Sequence, residues 1–272
     1  MSNKVIYQIH AEMYDYRLKG DECELNIWRR FQVNSDITLA QLGYIIQVLF
    51  EMTASHLMKF EVQVDKTTYI EYKIPDEETD WMADHNTNII ELFNQNLVES
   101  GLKLGSKIKT IHKDATKILL KNVLSNEGGK LDFEYDFGDS WKIELTLEKI
   151  FTDNALSSND LPRVLEGNAF GIIEDVGGMS GLDEFVRSFK KKKGKKYKEY
   201  SEWLGTQEYY NWIDFNNFDM NGVDLDDLNF RIKNIPQIYK NIYEKRKVPS
   251  EKSINLINRS YKRKYGWLRN IN

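Results

Sequence analysis

The sequence predicts an α+β domain: a compact unit with a mainly antiparallel sheet, a central β-hairpin and a helical C-terminal part. Three observations carry that expectation. Residues 133–147 alternate apolar and polar about a Gly138-Asp139 turn, with Phe133, Tyr135 and Phe137 on one face and Trp141 to Leu147 running back. Alternation is the period of a half-buried strand, and glycine supplies the positive φ that a tight turn needs. Two alternating runs precede a capped helix and a third follows it, and helical spacing takes over beyond Gly181. Strands first and helices later segregate the two element types, as α+β domains do.

In chain order, Val5, Tyr7, Ile9, Ala11 and Met13 predict a first strand, and Leu25, Ile27, Phe31 and Val33 a second, with Arg29 among them. Lys19-Gly20-Asp21 reads as the turn between them. Thr38 and Gln41 form a capping box, after which Leu39, Leu42, Ile46, Leu49 and Phe50 recur at helical spacing. Phe60, Val62 and Val64 predict a third strand. Residues 74–114 are polar, with a helix expected near Ile89–Leu97. Ile118–Leu120 reads as a short strand, and Asn126-Glu127-Gly128-Gly129 as the turn before the hairpin. Residues 152–181, with Pro162 and many glycines, read as one long loop, a kind of segment more often functional than connecting. Helices are expected over Leu182–Phe189, Tyr200–Trp212, Leu225–Tyr243 and Lys252–Tyr265. Trp28, Tyr135, Phe137 and Trp141 are expected to be largely buried. Arg29, on an apolar face, then needs a carboxylate partner, for which Asp136 or Glu174 is the candidate.

At 272 residues the chain can bury a large core without disulfides, and Cys23 is its only cysteine. That count excludes a disulfide framework and a thiolate zinc site, and a cytoplasmic location is the expectation. The N-terminal residues lack the apolar stretch of a signal peptide, and no run approaches the length of a membrane span, so no membrane partner is expected. The formal charge of −4 hides a segregation. Arg187, Lys190, Lys191, Lys192, Lys193, Lys195, Lys196 and Lys198 form a block without an acid, and residues 237–272 carry ten basic residues against Glu244 and Glu251. The remaining body holds 20 basic and 40 acidic residues. Basic appendages on an acidic body either steer partners by their field or fold back onto it. The division expected is therefore a domain over residues 1–235 and a basic, partly helical appendage over residues 236–272, opened by Pro236 and broken at Val248-Pro249-Ser250.

Several blocks, in this order, resemble the Ri-plasmid ORF-3-like family, proteins of plasmids and insertion elements. They are Ile27-Trp28-Arg29-Arg30-Phe31-Gln32-Val33, Thr38-Leu39 through Leu42 with Ile45, Ile46 and Gln47, and Ser55-His56-Leu57 with Phe60. The most specific is Glu134-Tyr135-Asp136-Phe137-Gly138-Asp139-Ser140-Trp141. Leu161 through Gly167, Glu174-Asp175-Val176-Gly177-Gly178 with Gly181, then Asp214-Phe215, Phe218-Asp219 and Leu225–Asn229 complete the match. The resemblance covers nearly all of residues 5–235 and implies a compact α+β domain, with no established activity. Lys142-Ile143 stand where members commonly have Glu-His, and Ile172-Ile173 where Pro-Pro is common.

Asp136, Asp139, Glu174 and Asp175, with His56, could converge on a hard cation such as Mg²⁺ or Mn²⁺, or form a general acid–base pair. Aspartates beside glycine turns also accept backbone N–H groups, and that structural role is preferred here, so no metal and no cofactor is expected. Catalytic signatures fail in turn. Asp136-Phe137-Gly138 lacks a kinase's Gly-rich and His-Arg-Asp loops; no phosphate loop exists; Leu182 spoils a nucleophile elbow at Ser180; and His10, His56, His85 and His112 lack ligand spacing. Lysines interleaved with aromatics do fit nucleic acid, by neutralising phosphates and stacking bases. The candidates are Lys191, Lys192, Lys193, Lys195, Lys196, Lys245, Arg246, Lys247, Lys262, Arg263 and Lys264, with Tyr197, Tyr200, Tyr261, Tyr265 and Trp267 nearby. The expected function is a non-catalytic, mobile-element-associated accessory that binds DNA, RNA or a nucleoprotein partner. The alternatives are a cation-dependent enzyme centred on the carboxylates, or an acidic module that binds a basic protein partner as a nucleic-acid mimic would.

Overall fold

The computed structural model describes residues 4–14, 25–75, 109–153, 155–156 and 160–265. The expected turn at residues 19–21 and helix at residues 89–97 lie outside them, as do the side chains of Arg263 and Lys264. Eight strands form one sheet: β1 (Val5–Tyr14), β2 (Trp28–Asn34), β3 (Met58–Gln63), β4 (Thr68–Lys73), β5 (Lys109–Asp114), β6 (Lys130–Tyr135), β7 (Trp141–Thr152) and β8 (Arg163–Asn168). Their order across the sheet is β5-β4-β3-β6-β7-β1-β2-β8. Every neighbouring pair is antiparallel except β4 with β5. Six helices are described: α1 (Leu39–Leu49), α2 (Gly178–Lys191), α3 (Lys195–Leu204), α4 (Leu225–Lys245), α5 (Glu251–Ile257) and α6 (Ser260–Tyr265). All but α1 lie in the C-terminal part, so the α+β expectation holds.

Helix α1 starts where the capping box places it: Thr38 Oγ1 accepts from Gln41 N–H, and Gln41 Oε1 accepts from Thr38 N–H. All its residues except Gln41 are buried, the pattern of a helix covered on every side. Helix α4 packs against it, with Tyr44 stacked on Tyr243 and Tyr239 donating to the Met52 carbonyl at 2.7 Å. The hairpin β6–β7 is the buried centre, with Phe133, Tyr135, Trp141, Ile143, Leu145 and Leu147 all removed from water.

The structure departs from the expected elements where local pattern misleads. Phe137 is 44% exposed, because β6 ends at Tyr135 and Asp136 takes a positive φ. Its ring lies under Lys59 and Lys73 instead of in the core. Trp28 is only half-buried and carries the Arg30 guanidinium 5.6 Å from its ring. Residues 118–120 give a single bridge, Thr38 to Leu119, followed by a 3-10 turn. The polar stretch ends in the exposed strand β5, and the glycine-rich loop contains β8, paired to β2 at the sheet edge. Helix α3 stops at Leu204, so the helix expected over Tyr200–Trp212 is shorter and earlier.

The boundary expected at residues 235/236 falls inside α4, which runs through Pro236 without a break. The segment beyond is held by buried charge. Arg259 Nε meets Asp227 Oδ2 at 2.8 Å, its Nη2 meets Glu51 Oε1 at 2.7 Å, and its guanidinium lies 4.5 Å from the Trp212 ring. Arg231 Nη1 meets Glu51 Oε2 at 2.8 Å. Burial pushes the Asp227 carboxyl up, but the Arg259, Arg231 and Lys262 charges outweigh it and hold the group below its ordinary range. The tail thus folds back in part, as opposite charges on one chain can. The break expected at residues 248–250 is present, with Ser250 capping α5. No described helix is long and apolar enough to cross a membrane.

Candidate functional site

Three loops meet at one end of the sheet: residues 50–57 after α1, residues 136–140 after β6, and residues 169–177 before α2. Each bends through backbone conformations that L-residues seldom adopt. Positive φ angles occur at Glu51, Ala54, Asp136, Ser140, Ala169 and Asp175. Such strain persists only where the surroundings hold it, and it concentrates at functional sites. Gly178 shows how tight the closure is. Its φ is +67°, and an added Cβ would lie 2.5 Å from the Asp139 carbonyl oxygen.

His56 stands at the centre. Its Nε2 lies 3.4 Å from Asp175 Oδ1, 3.6 Å from Asp136 Oδ2 and 3.9 Å from Glu174 Oε2. One donor atom each from His56, Asp136 and Asp175 falls within 4.8 Å of the others, the spacing of a group that could hold a metal ion. Each carboxylate divides its oxygens between structure and site. Asp136 Oδ1 accepts from Gly138 N–H at 3.0 Å, leaving Oδ2 toward His56. Glu174 Oε1 accepts from Thr53 N–H at 2.7 Å, Thr53 Oγ1 at 2.9 Å and the Tyr135 hydroxyl at 2.8 Å. Its Oε2 is buried with no hydrogen-bond partner, as is His56 Nε2. Burial pushes the Glu174 carboxyl up, against the pull of Thr53, Tyr135 and the His56 charge. The His56 ring packs edge-on against Tyr135, and its carbonyl accepts from the Tyr243 hydroxyl.

Four of the five expected acid–base or cation residues therefore converge: Asp136, Glu174, Asp175 and His56. Asp139 does not join them. Its Oδ2 accepts from Gly177 N–H at 3.1 Å, tying the hairpin turn to the glycine loop in the acceptor role its sequence position suggests. Arg29 is fully buried, yet neither Asp136 nor Glu174 is its partner. Its guanidinium donates to the carbonyls of Leu49, Trp28, Asn168 and Phe170 at 2.6–2.9 Å. Backbone dipoles, one of them from the C-terminal turn of α1, stabilise the cation where a carboxylate was expected. Burial still pulls its pKa down to about 10, with the Glu51 charge opposing.

The basic candidates fall into distinct settings. Lys191 ends α2, and Lys192 and Lys193 continue into the exposed turn before α3, all three with no ion pair among the described residues. Lys195, Lys196 and Lys198 face Glu199, Glu184 and Glu202 on the same hairpin. Lys245, Arg246 and Lys247 are exposed at the end of α4 and just beyond it. Lys262 is engaged by Asp224 at 3.0 Å and Asp227 at 3.5 Å. Beside the α2–α3 turn lies a cavity of about 330 Å³, walled by Phe185, Phe189, Phe215 and Phe218, with Lys190, Lys192, Asn216 and Asn217 among its lining.

Sequence reasoning did not single out Thr53, Tyr243 or Tyr210, whose hydroxyl accepts from Glu174 N–H at 2.6 Å, or the Glu51, Asp227, Arg231 and Arg259 cluster behind the site. Their partners lie up to 208 residues apart, and no local spacing marks such pairs.

The comparisons agree with this architecture. A protein of unknown function, MM3350 from Methanosarcina mazei Go1, has a crystal structure that superposes with a TM-score of 0.56 at 20% identity, covering 83% of this chain and 98% of that one. At that identity the likeness shows the fold alone. The uncharacterized protein y4hQ of Sinorhizobium fredii is 25% identical over 200 residues, 73% of this chain and 84% of its own length. The profile of the plasmid pRiA4b ORF-3-like proteins matches residues 12–227, which span every strand from β2 to β8 and helices α1 to α3. With that match over most of its length, and with the hairpin, glycine loop and buried arginine in the places described, the chain belongs to the plasmid pRiA4b ORF-3-like protein family.

Proposed function

We propose that this plasmid-associated protein is an accessory that binds single-stranded nucleic acid through the α2–α3 hairpin. The observation that carries the reading is the pairing of an exposed lysine turn with an aromatic cavity. Lys191, Lys192 and Lys193 are exposed at the turn, and Lys190 and Lys192 line a cavity floored by the buried Phe185, Phe189 and Phe215, with the partly exposed Phe218 beside them and Asn216 and Asn217 at its edge. Lysines neutralise phosphates, the partly exposed Phe218 ring is the one left for an unpaired base to stack on, and carboxamides donate and accept at base edges. A lysine run alone supplies only the first of these. Lys195, Lys196 and Lys198 contribute less, since each already faces a glutamate.

The test is fluorescence anisotropy of the full chain with labelled single-stranded DNA, single-stranded RNA and duplex DNA across a salt series. Binding should favour the single strands. Changing Lys191, Lys192 and Lys193 together to alanine should flatten the log-affinity against log-salt slope by about 2, at roughly 0.7 per single-strand phosphate contact. Absence of binding at low salt, or a slope unchanged in the triple variant, would overturn the reading.

A further inference from the structure

The cluster around His56 is not needed for nucleic-acid contact, and its donor atoms point inward to one place. We propose that His56, Asp136 and Asp175, backed by Glu174, form a binding site for a divalent first-row transition-metal ion, with Zn²⁺ the best fit. Two independent observations meet here. The first is the triad itself, with one imidazole nitrogen and two carboxylate oxygens within 4.8 Å of one another. The second is Glu174, whose side chain is only 4% exposed and whose Oε2 is buried, unpartnered and directed at His56 Nε2. A buried carboxylate oxygen without a donor is costly, and three hydrogen bonds spent on Oε1 leave the glutamate no way to turn Oε2 elsewhere.

The donor spacing selects among ions. Zinc–ligand bonds of about 2.0–2.2 Å arranged tetrahedrally place neighbouring ligand atoms roughly 3.3–3.6 Å apart. Asp175 Oδ1 and Asp136 Oδ2 lie 3.4 and 3.6 Å from His56 Nε2, within that range, and Glu174 Oε2 stands behind the triad at 3.9 Å. An imidazole among the donors favours Zn²⁺, Co²⁺ or Fe²⁺ over Mg²⁺, which prefers oxygen and water. The surroundings supply the supporting bonds that metal ligands need. Tyr135 donates to Glu174 and accepts from Ser55 N–H, and Gly138 N–H fixes Asp136. Asp175, whose side chain is 61% exposed, forms the open side through which an ion or an exchangeable water would enter.

The experiment uses the full chain after chelator treatment and dialysis, titrated with Co²⁺ alone and then displaced by Zn²⁺. One equivalent of Co²⁺ should give the visible absorption bands of a four-coordinate site, Zn²⁺ should abolish them, and Zn²⁺ should raise the melting temperature, whereas Mg²⁺ should do neither. Asp175→Asn, at an exposed position with a left-handed backbone that asparagine tolerates, should fold normally and weaken Co²⁺ binding at least tenfold. Glu174→Gln and His56→Gln should do the same. Wild-type protein that gives no bands at one equivalent, or binding of equal strength in Asp175→Asn and Glu174→Gln, would overturn the proposal and leave a closed ion-pair cluster in its place.

Discussion

Replacing Arg259 by alanine tests whether the basic C-terminal segment is part of the fold. Arg259 is 4% exposed and holds two buried carboxylates, Asp227 and Glu51, at 2.8 and 2.7 Å. Removing one partner of a buried ion pair costs about 3–5 kcal/mol, because the other charge stays buried. Here Glu51 keeps Arg231 at 2.8 Å and Asp227 keeps the Tyr261 hydroxyl at 2.6 Å, so the lower end applies. A loss of about 3 kcal/mol corresponds to a drop of roughly 6–12 °C in melting temperature for a chain of this size. The assay is thermal and urea unfolding of wild type and Arg259→Ala at several pH values. Asp227 has its folded pKa below its ordinary value of 3.8, so its ion pairing stabilises the fold above that value and is lost as pH falls through the folded one. The gap between the two proteins should therefore be full at neutral pH and narrow below pH 3.8. A variant within about 0.5 kcal/mol of wild type, the range of ordinary surface substitutions, would refute the reasoning and leave the tail as an appendage that adds nothing to the fold's stability.

Trp141→Ala should cost about 3–5 kcal/mol, as buried aromatic truncations do, whereas Phe137→Ala should cost well under half as much; equal melting temperatures would contradict the hairpin burial. Gly178→Ala should destabilise by about 1–3 kcal/mol, since both its positive φ and the Asp139 carbonyl oppose a side chain, and a neutral result would show that the two loops part easily. For Glu174 the sign is the reverse of that for Asp227. A folded pKa raised above 4.5 means that the metal-free folded protein holds the proton more tightly, so ionised Glu174 lowers stability as pH rises through that window. Metal-free Glu174→Gln should accordingly gain on wild type between acidic and neutral pH, and a constant difference across that range would argue against a buried ionisable Glu174. Truncation after Pro236 removes Tyr239 and Arg259 from their buried places and should leave a chain that fails to melt cooperatively.

Much of the fold was legible because its signals are local. Alternation marked β1, β2, β3 and the hairpin, and Thr38 with Gln41 marked the start of α1. The strands that escaped notice have weak alternation. β4 buries only Tyr72, β5 exposes most of its residues, and β8 sits among glycines at the sheet edge, so none carries a buried stripe to read. The site was half legible. Motif order nominated His56, Asp136, Asp139, Glu174 and Asp175, since acids beside glycine turns stand out in any sequence. Nothing in that order said that Asp139 would turn to Gly177 while the other four met. The division depends on which oxygen each carboxylate commits to a backbone donor, and that is set by three loops closing in space.

The sequence by itself determined the first strands, helix α1, the central hairpin, the burial of Arg29 and the segregation of charge, because periodicity, turn chemistry and composition act between near neighbours. Only the tertiary structure decided the partners. Arg29 found four carbonyls where a carboxylate was expected, because β2 and the ends of α1 and β8 bring backbone dipoles around it. Arg259 reached Glu51 across 208 residues and made a charged tail part of the core. Burial makes a charge need a partner, but which partner it takes is a matter of geometry that no single stretch of chain contains.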